Sequence, residues 1–237
     1  MMDLGRRIEA IDYSTVAAQL HERGHAVVEG LLTARECAAL AGGFDSERGF
    51  RKQVVMERHR YGRGLYKYWD YPLPPLVQQL RQGLYPPLVP VANLWMAQLG
   101  LEPRFPDSLA ALSRACRDSG QCKPTPLLLR YGTGDYNCLH QDIYGEIYFP
   151  LQAVVFLGEP GRDYSGGEFV ITEQAARAQA RVTVLSPGRG DLLVFSTRYR
   201  PVRGRRGFHR VAMKHGVAEV RGGRRHAMGV IFHDAAS

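Results

Sequence analysis

From residue 125 onward the chain becomes a succession of short apolar segments, at 126–131, 137–142, 149–157, 168–173, 181–185, 190–196, 208–221 and 224–233. Turn-forming residues separate most of them: Gly132-Thr133-Gly134-Asp135, Glu159-Pro160-Gly161, Ser165-Gly166-Gly167 and Pro187-Gly188. Apolar runs this short and this regularly punctuated build strands. About eight of them at this spacing predict a β-sandwich or jelly roll.

Upstream the pattern is different. Residues 14–43 read as mostly helical. Ser14 is placed to cap a helix through Val16-Ala17-Ala18-Gln19-Leu20, and Gly24 stops it. His25-Ala26-Val27-Val28 reads as a strand. Thr33 caps a second helix, with Glu36 completing a capping box. Alternation in 52–57 and 65–69 predicts a hairpin with Gly62 and Gly64 near its turn. Residues 72–117 read as helices punctuated at Pro72, Pro74, Pro75, Pro86, Pro87 and Pro90. The expected fold class is mainly β with helical support (α+β), in a single domain over 1–237. Residues 1–124 form N-terminal helical support and a substrate lid, and 125–237 form a double-stranded β-helix (jelly roll) core.

With 45% hydrophobic and 23% charged residues the chain is expected to fold as a soluble globule. No apolar run approaches the roughly 20 residues of a membrane span. The opening residues 1–7 lack the apolar core and cleavage site of a secretory signal, so a cytoplasmic location is expected. Cys37, Cys116, Cys122 and Cys138 form no CxxC pair and no zinc pattern, and read as reduced thiols. Cys138, two residues before His140, reads as a small buried thiol of the barrel rather than a reactive one. The net charge is +8. Of 31 basic residues, all but Lys52, Lys67, Lys123 and Lys214 are arginines. Guanidinium forks and a positive field favour an anionic partner.

Inside the strand series stands His140-Gln141-Asp142. Residues i and i+2 of a strand share a face, so His140 and Asp142 can converge on one metal ion. His215, about 75 residues later, is the preferred third ligand. His209, in Gly207-Phe208-His209-Arg210-Val211, competes with it. Two histidines and one carboxylate leave open positions, the donor set of a non-haem Fe(II) oxygenase. Arg225 follows His215 by ten residues, after a turn at Gly222-Gly223. Parity alone leaves it either in the barrel or on a solvated face beside Arg224. In the barrel its guanidinium requires an anion.

This constellation resembles the Fe(II)/2-oxoglutarate-dependent oxygenases over roughly residues 125–233. Arg130-Tyr131 with Gly134 and then Leu139-His140-Gln141-Asp142, and the His215-Gly216-Val217 step, are similar to stretches of the AlkB-type nucleic-acid dealkylases. The short spacing from His215 to Arg225 is more like that of prolyl hydroxylases. Gln121-Cys122-Lys123-Pro124-Thr125-Pro126-Leu127, Ser165-Gly166-Gly167-Glu168-Phe169-Val170 and Ile231-Phe232-His233-Asp234 resemble a bacterial family of oxygenases proposed to act on nucleic acids.

The resemblance implies Fe(II) on His140, Asp142 and His215, with 2-oxoglutarate and O2 as cosubstrates. It implies Arg225 and Tyr131 at the far carboxylate of 2-oxoglutarate, and Asn137 beside the cosubstrate or the carboxylate ligand. The implied reaction hydroxylates a substrate C–H bond with release of succinate and CO2; on an N-methyl group of modified nucleic acid this becomes demethylation. A peptide or small-molecule hydroxylase is the alternative within the class, and a nucleic-acid-binding jelly roll without catalysis is the alternative outside it. Two basic stretches, 58–69 and 198–207, are read as loops that contact nucleic acid. Tyr66 or Trp69 is the candidate to stack on a base, against the reading that aromatics at hairpin spacing belong to the core.

Overall fold

The structure is a computed structural model and describes residues 2–102 and 104–236. The chain opens with α1 (Leu4–Glu9), α2 (Tyr13–Arg23), β1 (His25–Val28) and α3 (Ala34–Gly42). Then come β2 (Phe50–Val55), β3 (Gly62–Arg63) and β4 (Leu65–Trp69), the long α4 (Pro75–Leu99) and α5 (Leu109–Asp118). The remainder is β: β5 (Leu127–Tyr131), β6 (Tyr136–His140), β7 (Leu151–Phe156), β8 (Tyr164–Gly166), β9 (Phe169–Gln174) and β10 (Arg181–Leu185). It closes with β11 (Leu192–Ser196), β12 (Tyr199–Gly204), β13 (Gly207–Val217), β14 (Val220–Gly223) and β15 (Arg225–Val230).

Two sheets face each other. One is seven-stranded, in the order β1-β11-β7-β15-β5-β4-β2; the other is β10-β9-β13-β6-β3, with β12 on the edge of β13. The assigned pairings are antiparallel. This is the expected jelly roll, with strands β1, β2 and β4 from the N-terminal half added to the seven-stranded sheet. All six residues of β7 are buried because its two faces serve different cores. Leu151, Ala153 and Val155 pack toward Leu80, Leu84 and Leu88 of α4 in the helical layer. Val154 and Phe156 pack between the sheets with Phe169, Phe195 and Met213. On β15, Met228 and Val230 join the helical layer and Ala227 the inter-sheet core. Arg225 has the parity of Ala227, so it points between the sheets.

Several local expectations hold. Gly24 ends α2 in the left-handed conformation, and Thr33 and Glu36 form the capping box of α3. Others are corrected. Asp12, not Ser14, caps α2, because its carboxylate accepts from the backbone of both Ser14 and Thr15. Pro86, Pro87 and Pro90 lie inside one continuous helix rather than between helices. Pro86 and Pro90 face solvent, where water can serve the carbonyls that the missing N–H groups leave free, while Leu84, Tyr85, Leu88, Val89 and Trp95 are buried. An interior proline costs about 3 kcal/mol. Burying one large apolar side chain returns about 1.5–3 kcal/mol, so the apolar face wins.

The stretch 198–207 is not a loop. β12 pairs residue for residue with β13 from Tyr199↔Ala212 to Gly204↔Gly207, leaving only the tip between Gly204 and Gly207 as a turn. Much of 58–69 is likewise strand, in β3 and β4.

Candidate metal centre

β6 and β13 carry the two histidines, and their register sets His140 directly opposite His215. The register then shifts before Val217↔Asn137. Gly216 lies at that shift, where a Cβ would stand 2.6 Å from the Asn137 carbonyl oxygen. A glycine therefore follows His215 because β6 crosses too closely for any side chain. β6 ends at His140, so Asp142 reaches the site from just beyond the strand. The intervening Gln141 turns the other way and donates to the carbonyls of Arg198 (3.0 Å) and Met213 (2.8 Å), closing the base of the β12–β13 hairpin.

Ligand atoms of His140, Asp142 and His215 lie within 4.8 Å of one another. His140 Nε2 is 3.5 Å from Asp142 Oδ1, and His215 Nε2 is 3.2 Å from Asp142 Oδ2. The two imidazole centroids are 4.2 Å apart. His140 Nδ1 lies 2.8 Å from the Cys138 carbonyl, which fixes its proton there and leaves the Nε2 lone pair toward Asp142. His215 is buried against Phe169 (5.7 Å, stacked) and Phe195 (4.7 Å, edge-on).

Both oxygens of Asp142 are held: Tyr144 donates its hydroxyl to Oδ1 (2.7 Å) and Gln152 its amide to Oδ2 (2.8 Å). Tyr68 donates in turn to Tyr144 (3.2 Å). Burial pushes the Asp142 carboxyl up, but His140 and then His215 outweigh it and hold it well below the ordinary carboxylate range. Burial draws His140 down, and the Asp142 carboxylate more than offsets that, so His140 lies above the usual histidine value. His215 goes the other way, lowered by burial and then by His140. Burial and then Asp142 push Tyr144 far up, so it stays a donor. Two imidazole nitrogens and a pre-oriented carboxylate are a donor set suited to a divalent transition metal.

A cavity of about 540 Å³ joins this cluster to Arg225, Tyr131 and Asn137. Arg225 is 1% exposed and pairs in register with Tyr131. Its guanidinium carbon stands 5.5 Å from the Tyr131 ring centroid and 5.4 Å from that of Phe156. Its Nε and Nη2 have no hydrogen-bond partner among the described residues. Gly167, at φ +64°, makes room for it, since a Cβ there would meet Arg225 Cδ at 2.9 Å. Asn137 donates its amide to the Tyr131 hydroxyl at 3.4 Å, which leaves the Tyr131 proton to be donated. Burial pushes that hydroxyl upward.

The structure decides against two alternatives and corrects one expectation, that of a buried Cys138. His209 is exposed on the β12–β13 hairpin, opposite Val202, and takes no part in the cluster. Cys138 lines the cavity but is exposed rather than buried. Trp69 is buried against Phe50 at 5.6 Å and cannot stack on a ligand. Sequence reasoning missed Gln152, Tyr144 and Tyr68. The one signal for Gln152 was a polar residue inside the apolar run 151–156.

A jelly roll that gathers two histidines and a carboxylate in one cavity defines a non-haem metal oxygenase architecture. The chain belongs to the Oxygenase-NA family, whose model, described as an oxygenase catalysing oxidative methylation of damaged DNA, matches residues 64–235. It is therefore an oxygenase and an oxidoreductase. An uncharacterized protein from each of two Mycobacterium tuberculosis strains is 46% identical over 191 residues, which are 78% of this chain and 82% of the relative. Among solved structures it is similar to a Pseudomonas putida prolyl-4-hydroxylase (17% identity, TM-score 0.55, covering 92% of this chain and 96% of that one). A Burkholderia pseudomallei oxidoreductase of the 2OG-Fe(II) oxygenase family is similar too (18%, 0.51, covering 96% and 95%). At these identities the likeness is one of fold, which is that of the 2-oxoglutarate oxygenases. No helix among the described residues is long and apolar enough to cross a membrane.

Proposed function

We propose that this oxygenase works with Fe(II), 2-oxoglutarate and O2, and that its substrate is nucleic acid. The observation that carries the cosubstrate assignment is Arg225: a buried guanidinium with two unpartnered donors, in the same cavity as the His140–Asp142–His215 cluster. Left alone, such a group is costly to bury. A dicarboxylate offers it a two-pronged partner.

In this reading His140, Asp142 and His215 hold the iron. When bound, the iron would supply the redox chemistry that couples O2 and 2-oxoglutarate, with succinate and CO2 as products, to hydroxylation of a substrate carbon; a hydroxylated N-methyl group would leave as formaldehyde. Tyr144 and Gln152 keep the Asp142 carboxylate in one orientation. Arg225 and the Tyr131 hydroxyl take the far carboxylate of 2-oxoglutarate, and Asn137 aims that hydroxyl. Phe169 and Phe195 screen His215 from water. The family description and the net charge of +8 support nucleic acid as the substrate.

The test is succinate production from 2-oxoglutarate, dependent on added Fe(II), alongside formaldehyde release from methylated oligonucleotides. We expect both, and expect their loss in His140→Ala and Asp142→Ala proteins. Succinate formation without iron would remove the cofactor reading. Coupled turnover on prolyl peptides and none on oligonucleotides would replace the substrate.

A further inference from the structure

The side chains of His215 and Asp142 are 8% and 14% exposed in the cavity, and that of His140 is 34% exposed. Chemistry on a base requires it out of the duplex stack, so a nucleic-acid target would enter this concave site unpaired. The rim has the chemistry to receive it. Tyr61 is 50% exposed and stacks on His59 at 5.3 Å with 21° between ring planes. Between them Arg60 ends the short 3-10 turn Met56–His59 with a left-handed backbone (φ 59°).

The rim segment is not loose. The Tyr61 N–H donates to Met56 O (3.1 Å), and the Tyr61 carbonyl accepts from the Cys138 N–H (2.8 Å). The platform is thus bonded to β6 two residues from His140. Tyr61, His59, Arg60 and Lys52 all line the cavity, and the exposed Leu139 and Ile143 flank it. Among the described lining residues the only carboxylate is Asp142, against Lys52, Arg60 and Arg225. A planar aromatic face beside cations, with no opposing acid, matches a ligand that alternates flat rings with anions. A prolyl peptide can pack a ring on the aromatic face but does not carry an anion at every step of its backbone.

We propose, resting on the nucleic-acid reading above, that the cavity admits one unpaired base of a single strand. The neighbouring base stacks on Tyr61, and the adjoining phosphates lie against Arg60 and Lys52. The substrate class is accordingly single-stranded nucleic acid rather than intact duplex.

The probe is a short fluorescein-labelled oligothymidylate, followed by anisotropy on full-length protein with Mn(II) and 2-oxoglutarate present. We expect Tyr61→Ala to bind about tenfold more weakly, in keeping with the loss of one base–aromatic stack. Tyr61→Phe, which keeps the ring, should bind as the parent does. Lys52→Gln and Arg60→Gly should each flatten the salt dependence of log Kd by about 0.7. The same strand annealed to oligoadenylate should bind at least about tenfold more weakly. Equal binding by Tyr61→Ala, equal binding of duplex, or displacement of the strand by a prolyl peptide would each overturn the proposal. Calorimetry of Mn(II) and 2-oxoglutarate on the same samples separates the two readings. Absent cosubstrate binding indicts the cofactor assignment, whereas normal cosubstrate binding with a Tyr61-independent oligonucleotide affinity indicts the platform.

Discussion

Gln152 is the side chain whose role the sequence conceals most. It lies 2% exposed in a strand whose other residues are apolar, with its amide on Asp142 and 3.3 Å from His215 Nε2. Groups that orient a metal ligand commonly govern affinity by 10–100-fold. Gln152→Leu should therefore weaken Mn(II) binding by at least about tenfold while leaving the fold intact; an unchanged calorimetric affinity would show that Tyr144 alone orients the carboxylate. His140 and Asp142 stood out in the sequence by their spacing, and His215 as the preferred of two histidines, whereas parity left Arg225 undecided and only the family resemblance gave it a role. Gln152 and Tyr144 did not stand out, because a lone amide in an apolar run has many structural uses. His233 yields a second prediction at this scale. Its Nδ1 accepts from the Phe149 N–H at 3.1 Å and it is wholly buried, so burial, then Arg81, pull it from 6.5 down to about 3. A base depressed in the folded state binds its proton first in the unfolded chain. Stability is therefore unaffected above pH 6.5 and falls as pH drops toward 3, by up to about 4–5 kcal/mol. Urea midpoints between pH 7 and 4 should fall less steeply in His233→Phe than in the parent.

The β12–β13 hairpin shows how composition can hide an element. Arginines, prolines and glycines dominate 198–207, and that mixture reads as a loop. Yet Arg200 is 4% exposed and donates to Glu173 on β9 through Nε (3.0 Å) and Nη2 (2.7 Å), while Pro201 is also buried. Burial along β12 does not alternate, since the adjacent Arg200 and Pro201 are both covered, and a guanidinium occupies a buried position that a sequence reading reserves for apolar residues. Helix α4 was obscured for the complementary reason: prolines normally end helices, and only burial of the opposite face explains their tolerance. Because Arg200 depends on one carboxylate, Glu173→Gln should destabilise the protein by about 3 kcal/mol, the cost of stranding a buried charge. Arg205→Ser and Arg206→Ser at the exposed tip should change stability by less than about 0.5 kcal/mol. Equal urea midpoints for Glu173→Gln and the tip variants would place Arg200 in water instead.

At the scale of the molecule, two sheets enclose the site and a helical layer backs one of them. The jelly-roll core was legible because each strand from residue 125 is short, apolar and bounded by turn residues. The β2–β4 hairpin was legible, but its place in the sheet and that of β1 were not, since the pairings Leu65↔Arg130 and His25↔Phe195 join distant segments and leave no mark on local pattern. The enclosure has a thermodynamic consequence that centres on Arg225. Its guanidinium is buried between the sheets without a carboxylate among its described neighbours, so the fold without ligand bears an uncompensated charge. Arg225→Met should therefore unfold no lower, and up to a few degrees higher, than the parent when neither protein has 2-oxoglutarate. With Mn(II) and 2-oxoglutarate each at about 100 times Kd, each should add about 2.7 kcal/mol to the parent, together about 5.4 kcal/mol or roughly 10–20 °C in Tm for a chain of this size. The variant should keep the part of that gain due to Mn(II) and lose the part due to 2-oxoglutarate. A Tm series with metal alone, cosubstrate alone and both distinguishes the two contributions. If Arg225→Met retained the full 2-oxoglutarate increment, the buried guanidinium would be serving the fold and not the ligand.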